Sequence, residues 1–71
     1  MRLKIVIRRE DDGRYSVAVP ALPGCYSCGH TLEEVRANIR EAAEGWLDAN
    51  DGRQPFEGEA PTADLVEEVE L

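Results

Sequence analysis

The chain has 71 residues and a formal net charge of −7. A single domain of this size buries only roughly 60% of the surface its unfolded form exposes. Two cysteines cannot supply a disulfide framework, so oligomerisation is the expected source of extra stability. Nothing approaches the ~20 apolar residues of a membrane span, and no signal peptide is legible, so the chain reads as cytoplasmic with reduced thiols.

In chain order, Leu3, Ile5 and Ile7 alternate with Arg2, Lys4 and Arg8, which predicts a half-buried strand over residues 2–9. Asp12-Gly13 is a hairpin-turn pair, since both residue types tolerate positive φ. Tyr15, Val17 and Val19 then alternate against Ser16 and Ala18, giving a return strand over residues 14–20. Pro20 ends it, because proline has no amide to donate. Pro23-Gly24 reads as a tight turn, and residues 25–28 leave room for a short third strand.

Thr31-Leu32-Glu33-Glu34 is a capping box, with the threonine hydroxyl accepting from the Glu34 amide and two acids at the positive end of the helix dipole. Leu32, Val35, Ile39, Ala42, Ala43, Trp46 and Leu47 follow at spacings of three and four. This stripe predicts an amphipathic helix over residues 32–50, stopped by Asn50-Asp51-Gly52. Gly45 costs such a helix about 1 kcal/mol; close approach of the sheet or of another helix is its expected role. Pro55, Gly58 and Pro61 mark a loop. Leu65, Val69 and Leu71 then fit one face of a strand over residues 64–70, interrupted by Glu67.

These elements make one α+β domain over residues 1–71, a β-β-β-α-β arrangement with one helix packed on one sheet face. Three strands in a meander and a right-handed crossover give the order 3-2-1-4, with the fourth strand parallel to the first. That places Arg2, Lys4 and Arg8 near Glu68 and Glu70. Charge is uneven along the chain. Residues 1–40 hold seven Lys/Arg against five Asp/Glu, whereas residues 41–71 hold only Arg53 against ten acids. Such a surface repels phosphate backbones and suits basic proteins.

The chemistry-bearing motifs are weak. Cys25-Tyr26-Ser27-Cys28 has C-x-x-C spacing, but the helix starts only at Thr31, several residues too late to lower a thiol pKa. Cys25, Cys28 and His30 supply three of the four ligands a structural zinc needs. His30 has no Ser or Asp constellation around it and reads as a turn residue. Glu10-Asp11-Asp12 reads as a solvated hairpin tip. Trp46 lies on the apolar stripe and reads as core, while Tyr26 on a short edge strand is a candidate interface anchor. No catalytic set and no cofactor motif emerges.

The run Val19-Pro20-Ala21-Leu22-Pro23-Gly24-Cys25, then Gly29-His30-Thr31-Leu32-Glu33-Glu34-Val35, then Asn38-Ile39-Arg40-Glu41-Ala42 resembles the HicB family of antitoxins. The likeness covers roughly residues 3–50. Val35 stands where the family more often has alanine, and His30 where it often has an acid. The resemblance implies a partial ribonuclease H-like fold without catalysis. It also implies a partner, a small basic mRNA-cleaving toxin of the HicA type, whose active site the antitoxin covers.

Many family members also carry a C-terminal DNA-binding module, whereas the residues after this helix are few and acidic, so direct DNA binding is not expected. Asp11, Asp12, Tyr26, Glu67, Glu68 and Glu70 are the candidate contacts to a basic partner. Two other readings stand beside this one. The chain could be a solitary homo-oligomer binding another protein or ligand, or a thiol or zinc protein built on Cys25 and Cys28.

Overall fold

Alternation along the first strand divides the sheet into an apolar and a charged face. In the computed structural model, which describes residues 1–49 and 64–71, β1 is Arg2–Arg9, β2 is Tyr15–Ala18, β3 is Tyr26–Gly29, α1 is Leu32–Ala49 and β4 is Leu65–Glu70. The four strands form one sheet in the order β3-β2-β1-β4. Leu3, Ile5 and Ile7 project to the helix side. There they pack with Val17, Val19, Leu22, Cys25, Val69 and the helix residues Val35, Ile39 and Ala43.

Three polar contacts fix the helix on this core. The Thr31 hydroxyl accepts from the Glu34 amide at 3.0 Å, so the cap predicted from sequence is formed. The Asn38 side chain donates to the Cys28 carbonyl at 2.8 Å, tying the first half of α1 to β3. Trp46 Nε1 donates to the Pro23 carbonyl at 2.8 Å and ties the second half to the turn before β3. The helix therefore runs antiparallel to β3.

Both turns rest on glycine. The Glu10 carbonyl accepts from Gly13, whose φ is 89°, and Asp12 Oδ1 accepts from the Arg14 amide. The Leu22 carbonyl accepts from Cys25 across Pro23-Gly24, with Gly24 at φ 84°. Proline then glycine at the two central positions is the type II pattern. β2 stops at Ala18, earlier than the alternation suggests. The Val19 amide turns to the Cys25 carbonyl, and the Val19 carbonyl accepts from Leu22, so the chain leaves the ladder before Pro20.

The fourth strand overturns one expectation. β4 is antiparallel to β1, with Arg2 opposite Glu70, Lys4 opposite Glu68 and Ile7 opposite Leu65. A parallel strand would require the chain to enter β4 where the helix ends, beside the start of β1. Residues 50–63 lie between α1 and β4, and their extended reach of roughly 45–50 Å is ample to enter from the other end. The antiparallel ladder is also the more stable per residue. Its ends are tied: the Asp64 amide donates to the Ile7 carbonyl, and the Leu71 amide to the Met1 carbonyl.

The same register corrects the charge pairing. Arg2 lies 3.6 Å from Glu68 and 3.5 Å from Glu70, but Arg8 falls at the far end of the ladder from both. Gly45 is corrected as well. It is exposed, and a Cβ there would meet nothing within 4 Å, so the sheet does not approach it. The predicted stop at Asn50-Asp51-Gly52 and the predicted loop with Pro55, Gly58 and Pro61 lie outside the described residues.

Candidate partner-binding surface

The exposed acids occupy three places. The hairpin between β1 and β2 presents Glu10, Asp11 and Asp12. Asp12 is engaged by its neighbour: Arg14 Nε donates to Oδ2 at 2.8 Å, and the Arg14 backbone amide holds the carboxyl below its ordinary pKa. Glu10 accepts from the Ser16 hydroxyl at 2.7 Å. Asp11 stands exposed at the tip.

The second place is the outer side of α1, where Glu33, Glu34, Glu41, Glu44 and Asp48 are all exposed. The first two suit the positive end of the dipole, but the last turn has no basic residue to offset Asp48 at the negative end. The third place is β4. Glu68 and Glu70 share Arg2 on the open sheet face, while Glu67 turns to the helix side, where Arg36 holds it. The sequence-named acids therefore do not make one patch. Asp11 and Asp12 sit at one end of β1, Glu68 and Glu70 near the other, and Glu67 on the opposite face.

Tyr26 stands 71% exposed on the β3 edge. Two features escaped the sequence reading. Glu41, Glu44 and Asp48 form an acidic outer side that helical spacing could have revealed. Val66 is 57% exposed on the open face, and its neighbours follow only from the register of β4. Shallow depressions of about 470 Å³ lie at the hairpin tip, between Asp12 and Cys28, and beside β4, between Arg40 and Val69.

The cysteines separate. Cys25 is buried in the core, and burial pushes its thiol pKa up. Cys28 is exposed on the other side of the sheet, opposite Ser16. Extended backbone sends residues three apart to opposite faces, so the C-x-x-C spacing does not bring two thiols together. His30 is exposed, 3.8 Å from Glu34. Among the described residues, no three of His, Cys, Asp and Glu are grouped to hold a metal ion, and no helix is long and apolar enough to cross a membrane.

The model of the HicB-like antitoxins of bacterial toxin-antitoxin systems matches residues 3–70. This chain belongs to the HicB-like antitoxin family. The fold agrees: the N-terminal domain of Burkholderia pseudomallei antitoxin HicB superposes with a TM-score of 0.75 at 25% identity, over 100% of this chain and 98% of that one. A UPF0150 protein of Thermoplasma acidophilum is 41% identical over 69% of this chain and 71% of its own length. Another, from Archaeoglobus fulgidus, is 42% identical over 68% and 70%. Among the described residues the HicB-like unit thus has four antiparallel strands and one helix, with the LPGC turn and the G-x-T cap at the two ends of β3.

Proposed function

We propose that this HicB-like chain is an antitoxin that binds and inhibits a small basic mRNA-cleaving toxin of the HicA type in the cytoplasm, acting by occlusion and not by catalysis. The observation that carries this reading is the acidic outer side of α1, with Glu41, Glu44 and Asp48 exposed in a family of antitoxins. A cationic RNA-binding surface is the natural complement of such a side, and opposite charge accelerates encounter. Asp11 at the hairpin tip and Tyr26 at the β3 edge are candidate contacts on other parts of the surface, Tyr26 sharing with Ala18 the sheet face turned away from α1. Asp12 and Glu67 contribute less, because Arg14 and Arg36 already pair with them, and Glu68 and Glu70 are partly offset by the Arg2 they share.

The test is co-expression with the product of the neighbouring reading frame, followed by an RNA-cleavage assay. The complex should be inert and the released partner active. A complex that cleaves RNA as fast as the free partner rules inhibition out. Reversing charge in Glu41→Lys/Glu44→Lys should slow association and flatten its salt dependence.

A further inference from the structure

Among the described residues the sheet ends at β4, with no strand on its outer side. Which backbone groups face outward follows from the pairing with β1. Met1 and Leu71 exchange both hydrogen bonds: the Met1 amine donates to the Leu71 carbonyl at 3.2 Å, and the Leu71 amide to the Met1 carbonyl at 2.7 Å. Such exchanges recur at every second residue of an antiparallel ladder, so Leu65, Glu67 and Val69 turn their amides and carbonyls to β1. Val66, Glu68 and Glu70 therefore each present an N–H and a C=O to the free edge.

The depression of about 470 Å³ beside β4 lies along this edge, with Arg36, Ala37 and Arg40 of α1 as one wall and Glu68, Val69 and Glu70 as the other. Its two sides differ in charge. On the open face, Glu68 and Glu70 are exposed and share Arg2 at 3.6 and 3.5 Å. On the helix side, Arg36 is taken up by Glu67, whereas Arg40 is exposed and makes no ion pair among the described residues.

We propose that the β4 edge takes up an extended segment of a partner protein as an added antiparallel strand, basic on the side that meets Glu68 and Glu70 and acidic on the side that meets Arg40. Side chains alternate between faces along a strand, so a segment with a carboxylate between two lysines or arginines satisfies both sides at once. Its main chain bonds the edge, and its alternate side chains supply the selectivity. On the open face the charge pattern continues outward: Arg2 and Lys4 of β1 lie opposite Glu70 and Glu68 of β4, and the added strand is basic again.

Other occupants fit less well. A second copy pairing through its own β4 brings Glu68 and Glu70 against like charges. An all-basic segment sets a cation on Arg40, and an all-acidic one sets carboxylates on Glu68 and Glu70. At the opposite edge, β3 is only 4 residues long and Asn38 already occupies the Cys28 carbonyl. None of the acids on the outer side of α1 lines the groove, so the inference does not rest on the antitoxin reading.

A synthetic peptide with the core Lys-Glu-Lys-Thr-Val, blocked at both ends, tests it against the full isotope-labelled chain. Read antiparallel, its first residue lies opposite Glu70, its glutamate opposite Val69 and its valine opposite Val66. Titrated to about 1 mM, the range open to a short strand that must be ordered on binding, it should shift the outward amides of Val66, Glu68 and Glu70 and slow their hydrogen exchange. N-methylation of the second lysine, whose amide points to β4, should weaken binding at least tenfold; N-methylation of the glutamate, whose amide points away, should not. Arg40→Glu should weaken binding about fivefold, and a peptide with lysine in place of its glutamate should restore it, circular dichroism confirming the fold. No shift at the highest concentration, or shifts centred on Tyr26 and Cys28, would overturn the proposal. Equal effects of the two N-methyl groups would overturn strand pairing, and failure of the lysine peptide to rescue Arg40→Glu would overturn the charge assignment.

Discussion

Arg36 on the helix grips Glu67 on β4 with two parallel hydrogen bonds of 2.7 Å, Nε to Oε1 and Nη2 to Oε2. α1 packs chiefly over β2 and β3, so this fork, together with Val69 in the shared core, draws the far strand to the helix. It also gives Glu67 a reason to break the apolar side of β4, because the side chain reaches an arginine where its neighbour Val69 meets core, while Leu65 at the strand's start stays exposed.

The fork holds the Glu67 carboxyl below its ordinary value of 4.5 and raises Arg36. A carboxylate with a depressed folded-state pKa stabilises the fold above its unfolded pKa. That contribution disappears as pH falls through the folded value. Thermal melts should therefore show stability falling below about pH 4.5, with Glu67→Gln lowering the neutral-pH midpoint by on the order of a few degrees and removing part of the acid dependence. Identical pH profiles for the two proteins would show that the fork adds nothing.

Gly29 and Gly45 should respond oppositely to alanine. A Cβ on Gly29 would sit 3.1 Å from both Val35 Cγ2 and the Val35 amide nitrogen, at the close passage between β3 and the helix start. Gly29→Ala should destabilise by about 1–3 kcal/mol. Gly45 is helical and exposed with open space around it, so Gly45→Ala should stabilise by about 1 kcal/mol. Chemical denaturation of both variants checks the pair, and a destabilised Gly45→Ala would contradict its open surroundings.

Local chemistry made much of the fold readable. Alternation at Leu3-Ile5-Ile7, proline before glycine at Pro23-Gly24 and the cap at Thr31 each act within a few residues, and each element appears where those residues place it. The direction of β4 was not readable, because it depends on how the chain returns after the helix, which no local pattern encodes. Glu67 looked like a flaw in a strand because its partner is far away in sequence. Val66 carries no signal in the sequence, because its neighbours, Val6 and then Ala18, exist only once the antiparallel register is set. The candidate site suffered most, since exposed acids look alike in sequence whether arginines neutralise them or not.

The two thiols should differ sharply in reactivity. Cys28 is exposed, whereas Cys25 is buried with its pKa raised by that burial, and the thiolate is the reactive species. Iodoacetamide under native conditions should modify one site rapidly, identified by mass spectrometry as Cys28, and reach Cys25 only on denaturation. Equal rates would mean that the turn before β3 opens readily.

That turn is held by Trp46, which offers the last test. Its indole donates to the Pro23 carbonyl while its ring packs against the core that contains Cys25. Trp46→Phe keeps most of the packing and removes the donor. Pro23 is exposed, so its freed carbonyl finds water, and the loss should be about 0.5–1.5 kcal/mol. The turn should loosen more than the sheet. Hydrogen exchange should therefore quicken at the Cys25 amide, which bonds the Leu22 carbonyl, and Cys25 alkylation should accelerate with it, while amides in the β1–β4 ladder keep their protection. Uniform acceleration across the ladder would instead mean that Trp46 stabilises the whole domain and not the turn.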